Sequence, residues 1–311
     1  MKKIIGAFVF AIIIIIICFQ IDVFGQKKIV GQTVSSTNST VTKTKESFDD
    51  TEQETLIKIG KNDRTLYTDD SLTTPLATIN GGELAEFLSE TKNAYQIKTN
   101  DGYTGYLALE DGTKVTKNIQ TKPEELSDAV IVLDPGHGGN DTGALSNDEQ
   151  TEEKDITLST AIKVKKALED AGATVYLTHT TDELVQLGDI CDYSEEKKAD
   201  VFISLHADST EYANEATGIT TYYYYGQEET LAQTIADSFT DLPLDSRGIS
   251  TGNYQVLREN LQPSILIEMG YMNNDSDLKE LVTDSYQQQI AASLTQALTA
   301  YYRRCKLLNT V

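Results

Sequence analysis

The chain has three histidines, and two of them stand in matching settings. His137 follows an apolar run in VIVLDPGHGGNDTGA, His206 closes another in ADVFISLHADS, and Glu268 closes a third in PSILIEMGYMNN. Short apolar runs of this kind read as buried strands. Three polar groups from separate parts of the chain are therefore expected along one rim of a sheet, an arrangement that core packing does not explain. Two imidazoles and a carboxylate make a typical catalytic zinc set, with the fourth position open to water. The best third ligand is Glu153 in QTEEKDITL, immediately before a helical pattern, with Glu152 as the competing choice. Gly136, Gly138 and Gly139 let the backbone turn sharply around His137.

The elements that must position these groups follow from periodicity. Strands are expected at Ala129 to Asp134, Thr174 to Leu177, Val201 to His206, Gly218 to Tyr225 and Ser264 to Glu268. Helical patterns run from Asp155 to Ala171, Glu228 to Phe239 and Tyr286 to Tyr302; in the first, Leu158, Ala161, Ile162, Lys165 and Leu168 fall at three- and four-residue steps. This alternation predicts an α/β domain over 129–304, an open, mostly parallel sheet flanked by helices. Ligands in such sheets gather beyond the carboxyl ends of the strands. Ahead of it, short alternating runs such as TLIKIG and AYQIKT over 55–118, separated by turn clusters, predict a small all-β domain, followed by a Pro-containing connector over 119–128.

The composition sets outer limits. A length of 311 residues allows about two domains, and a net charge of -22 argues against a nucleic-acid partner. Lys2 and Lys3 precede an apolar run from Ile4 to Phe19, which marks 1–30 as an export segment. It is either an uncleaved membrane anchor, the preferred reading, or a signal peptide cut near Val23-Phe24-Gly25. Residues 31–54, rich in Ser, Thr and charge, read as a disordered linker. Cys191 sits in the acidic stretch GDICDYSEE, which keeps a thiol protonated and unsuited to attack, and whether it pairs with Cys305 stays open.

The segments VIVLDPGHGGNDTGA, EKDITL, ADVFISLHAD, GITTYYY, RGIS, NYQVLR and PSILIEMGYMNN, in this order, resemble the zinc-dependent N-acetylmuramoyl-L-alanine amidases of the cell-wall hydrolase class. The resemblance implies one zinc ion per chain on His137, Glu153 and His206, and Glu268 as the catalytic acid and base. It also implies the substrate, the peptidoglycan amide between N-acetylmuramic acid and L-alanine, and a place on the outer face of the cell envelope, anchored to the membrane or secreted to the wall. Arg258 in VLREN and Asn274 in YMNN are possible substrate contacts, with an ion pair and a turn as their structural alternatives. The stretch NAYQIKTNDGYTGYLALEDGT resembles the closing hairpin of bacterial SH3-like domains, although Tyr106 stands where a tryptophan is often found. The family usually has Thr-Arg where Thr178 and His179 stand here, so His179 reads as a surface or packing residue. Two other functions stay open: a zinc peptidase acting within the stem peptide, and a catalytically silent wall-binding protein.

Overall fold

A computed structural model describes residues 52–119 and 123–309, with side chains for 54–117 and 123–304. The export segment, most of the linker and part of the connector lie outside the described residues. Among the described residues, no helix is long and apolar enough to cross a membrane.

Seven short strands form the first sheet: β1 (Glu52–Ile59), β2 (Arg64–Tyr67), β3 (Pro75–Ile79), β4 (Leu84–Glu90), β5 (Ala94–Lys98), β6 (Thr104–Ala108) and β7 (Gly112–Ile119). Their order is β3-β2-β6-β5-β4-β1-β7, and every pairing is antiparallel. Alternation along the strands sends Ile57, Ile59, Leu66, Ile97 and Leu107 into one small core.

The second sheet is built from β8 (Val130–Pro135), β9 (Thr174–Leu177), β10 (Val201–Asp208), β11 (Ile219–Tyr223), β12 (Ser246–Thr251) and β13 (Ser264–Tyr271) in the order β12-β11-β13-β10-β8-β9. Only β11 runs antiparallel to a neighbour, β13; the other pairings are parallel. Helices α1 (Glu153–Asp170), α3 (Glu229–Ser238) and α6 (Asp284–Asn309) pack with one face of this sheet. Helices α2 (Leu187–Glu196) and α4 (Gln255–Arg258) cover the other, and α5 (Asp275–Leu281) follows β13. Period-two geometry explains the two layers: Ile131, Leu133, Val201 and Ile203 enter the larger core, while Val132 and Phe202 between them enter the smaller one.

After β8 the chain places β9 on one side and then returns to lay β10 on the other. The order thus reverses between β8 and β10, and a reversal of this kind opens a crevice at the carboxyl ends of the strands. His137 lies just beyond β8 and His206 lies on β10, so the two flank that point. Both β10 and β13 extend past the ends expected from their apolar runs, to Asp208 and Tyr271. His206 and Glu268 are consequently internal to their strands and are paired in register. Edge strand β12 carries half-exposed residues without clean alternation, and for that reason it left no pattern in the sequence.

Candidate metal and active site

Backbone geometry at His137 is the first unusual feature. Its φ is +67°, in the left-handed region that disfavours a side chain by roughly 1–2 kcal/mol. Surrounding bonds hold it there. Gly138 and Asp141 exchange backbone hydrogen bonds of 2.9 and 3.1 Å, Gly139 N donates to Asp182 at 2.6 Å, and Lys154 Nζ donates to the Gly139 carbonyl at 2.8 Å. The result turns the imidazole back toward the start of α1.

Glu153 is the first residue of α1, and its carboxylate is 4% exposed. One oxygen lies 3.1 Å from His137 Nε2 and accepts Ala144 N at 2.8 Å. The other lies 2.9 Å from His206 Nδ1 and accepts Ala207 N at 2.9 Å. One donor atom from each of the three side chains falls within 4.8 Å of the others. The two rings stand edge to face with centroids 4.8 Å apart. A methyl group on Gly136 would lie 2.2 Å from the His206 ring, and one on Gly143 would lie 2.5 Å from both the Glu153 carboxylate and His137. Both glycines therefore make room for the cluster. Glu152 faces elsewhere, 3.2 Å from Lys154.

Glu268 sits on β13 beside His206, 7% exposed, and its Oε2 is buried without a hydrogen-bond partner among the described residues. Burial pushes its carboxyl up to about 8, against the pull of His206 and with the repulsion of Glu153 and Asp208. Burial also opposes charge on His137, but the hydrogen bond and charge of Glu153, followed by those of Asp141, outweigh it and raise the imidazole to about 9. The desolvation of Glu153 is outweighed in turn by its bonds to both histidines, which hold it well below the usual carboxylate range. The cluster opens into a cleft of about 690 Å³ whose lining includes Leu184, Leu187, Tyr254 and Val256.

Asp141, which sequence reasoning passed over, places Oδ2 2.9 Å from His137 Nδ1 and so turns Nε2 toward Glu153. Its four-residue spacing from His137 was the available signal. Asp134 was also missed. It is buried at the end of β8, accepts Ser204 Oγ at 2.7 Å and Thr178 Oγ1 at 2.8 Å, and thereby ties β8 to β10 and to the residue just past β9. His179 is buried, not at the surface, and lines the cleft apart from the three-residue cluster. Burial pushes the Cys191 thiol up to about 12, with Glu259 adding to the effect.

Arg258 and Asn274 are not brought to the cluster. Arg258 donates from Nε to the Gly81 carbonyl at 2.9 Å and from Nη1 to Asn253 at 2.6 Å. Asn274 caps α5, accepting Ser276 N and Asp277 N at 2.9 and 3.1 Å. Its amide donates to the Ala216 carbonyl at 2.9 Å.

Residues 131–300 match the family model of the N-acetylmuramoyl-L-alanine amidases, more than half of the chain. The chain belongs to that family. Among its relatives is a probable cell wall amidase, LytH, of Staphylococcus aureus, 36% identical over 202 residues. The match covers 64% of this chain and 65% of that protein, so the chain spans about two thirds of the length of the curated relatives it matches. Among solved structures, the N-acetylmuramoyl-L-alanine amidase from Clostridium difficile 630 superposes with a TM-score of 0.54 at 33% identity, over 56% of this chain and 96% of that one. The catalytic domain of the amidase CwlV from Bacillus (Paenibacillus) polymyxa var. colistinus gives 0.54 at 32% identity, over 56% and 97%. All of the cluster residues fall inside the family match.

Proposed function

We propose that this amidase-family chain hydrolyses the peptidoglycan amide between the lactyl group of N-acetylmuramic acid and the L-alanine of the stem peptide, with one zinc ion held by His137, Glu153 and His206. The observation that carries the reading is the convergence of these three donors next to Glu268, whose buried Oε2 has no partner. The donor set fits zinc: two imidazole nitrogens and one carboxylate oxygen, with Asp141 orienting one imidazole from behind. Two glycines leave the space that a Cβ would otherwise fill.

When bound, zinc supplies Lewis acidity that polarises the amide carbonyl and makes water acidic enough to attack near neutral pH. The chain's own residues do the rest. Glu268 Oε2 receives the proton of the attacking water and passes it to the leaving nitrogen of L-alanine. Burial suits it to both tasks, because a carboxyl lifted toward neutrality accepts and returns a proton with little bias. Asp141 keeps a proton on His137 Nδ1, which frees Nε2 as a donor atom.

The same reading extends to organisation and place. We assign 1–30 to an anchor or signal, 31–54 to a linker, 55–118 to an SH3-like β domain, 119–128 to a connector and 129–304 to the catalytic domain. The envelope is the expected site of action, with peptidoglycan as substrate and the membrane approached through the N-terminal segment. Product analysis on purified walls, with zinc content measured in parallel, tests the proposal. It expects stem peptides with a free L-alanine amino end, intact glycan chains and loss of activity on chelation. Cleavage within the peptide instead replaces the amidase by a zinc peptidase, and the absence of any cleavage leaves a wall-binding protein.

A further inference from the structure

The segment joining β12 to β13 contributes Tyr254, Gln255 and Val256 to the lining of the cleft. Its helix α4 is a single turn of four residues, too short to be stable by its own hydrogen bonds. Val256 and Leu257 pack into the core on one face of the second sheet, and the two ends of the segment are held in part by the seven-stranded sheet. Tyr225, just past β11, donates its hydroxyl to the Arg258 carbonyl at 2.6 Å and accepts Leu84 N of β4 at 2.8 Å, so it links the segment to the seven-stranded sheet. Arg258 Nε reaches the carbonyl of Gly81, and Asn253 meets both Arg258 and Asn80, at 2.6 and 3.4 Å. Gly82, at φ +78°, lies so close to Glu259 that a methyl group there would fall 2.3 Å from the carboxylate. Behind this contact the Tyr224 hydroxyl bonds Glu83 at 3.1 Å and accepts Asn80 Nδ2 at 3.2 Å, with Glu83 only 2% exposed. Domains of one chain move relative to each other unless their interface prevents it. Here partly buried, directional bonds to backbone atoms do so.

We infer that the seven-stranded sheet is a positioning element for the amidase cleft: the turn from Asn80 to Leu84 clamps the Asn253–Glu259 segment and so sets the wall against which substrate binds. This rests on the amidase reading above and adds to it a role for the β domain that does not depend on affinity for the wall. His137, Glu153, His206 and Glu268 stand on other elements, so undocking the turn disturbs substrate binding and leaves the reacting groups in place. Asn80 and Tyr225 act through the wall and are positioning residues.

The test uses the full zinc-loaded chain and a soluble disaccharide-peptide fragment, for which wall affinity is irrelevant. Asn80→Ala combined with Tyr225→Phe is expected to raise KM, and the Kd of the fragment, at least fivefold while kcat stays within twofold and zinc content is unchanged. Amide hydrogen exchange over 253–259 should quicken in the same variant. Tyr225→Phe alone, which keeps the ring, should move KM in the same direction by less. Tyr103→Ala, on an exposed residue of the turn between β5 and β6, should leave KM unchanged. Faster exchange with unaltered KM and Kd overturns the inference, and so does a fall in kcat at constant KM, which reports lost active enzyme. A rise in KM from Tyr103→Ala alone overturns it too, because it makes the sheet a binding surface. If the wild type binds the fragment without cleaving it, the amidase reading falls and Kd decides the inference.

Discussion

A buried carboxylate oxygen without a partner costs on the order of 1–3 kcal/mol, more if charged, and Glu268 carries one beside two imidazoles. Glu268→Gln keeps the shape and removes the proton acceptor. It should retain zinc and lower turnover by about 10²–10⁴-fold. Metal analysis beside a rate assay checks this, and zinc loss from the variant would contradict the assignment. At His137 the expected outcome is a linkage between zinc and protons. With the imidazole raised to about 9 in the zinc-free protein, it is protonated at pH 7, and a bound cation must displace that proton. Zinc affinity should therefore climb as pH rises toward 9. Calorimetry at pH 7 in buffers of different ionisation enthalpy should detect at least one proton released per zinc, and no release would sink the idea.

Elements place these groups through close approach. Gly136 lies against the His206 ring at a backbone conformation that does not itself demand glycine. Gly136→Ala should consequently preserve the fold, judged by circular dichroism, and displace the imidazole. A tenfold or greater loss of zinc affinity is expected, and unchanged affinity would refute the packing argument. Where α3 begins, Glu228 accepts Tyr225 N at 3.2 Å and Ser264 N at 3.1 Å, yet burial lifts its carboxyl to about 7. The folded chain thus holds this proton more tightly than the unfolded one. The stability it contributes is fully present below the unfolded value near 4.5 and is lost as pH rises through 7, a change of about 3 kcal/mol at most. Denaturant titrations should show Glu228→Gln flattening the decline between pH 5 and 8.

At the scale of the whole molecule, the two sheets have separate apolar cores joined by a polar seam. The seam contains buried groups that lose their partners if one sheet unfolds alone, so the sheets should melt together. Leu66 is fully buried in the smaller core. Leu66→Ala should cost about 2–5 kcal/mol and shift a single thermal transition downward, catalytic activity included. Two resolved transitions, with activity lost only in the later one, would show that the seam does not couple the sheets.

Local patterning determined a good deal here. The apolar runs ending near His137, His206 and Glu268, and the alternation of strands with helices, follow from side-chain periodicity, which is a property of neighbours in the chain. Periodicity stopped short at the half-exposed edge strand β12 and at the short helix α4, where packing and not pattern forms the element. The place of Glu153 just before a helical pattern favoured it over Glu152, but periodicity alone could not fix which of the two turns toward both imidazoles. Successive residues in the first turn of a helix point in directions about 100° apart, and only the docking of α1 against β8 and β10 decides which one faces inward. Arg258 was drawn to the adjacent sheet and Asn274 to a helix cap for the same reason, since a hydrogen bond depends on which distant atoms arrive within 3 Å. Sequence singled out His137, His206 and Glu268 because their types and strand positions are local facts; the tertiary fold alone brought them to one point with Glu153 and set a wall beside them.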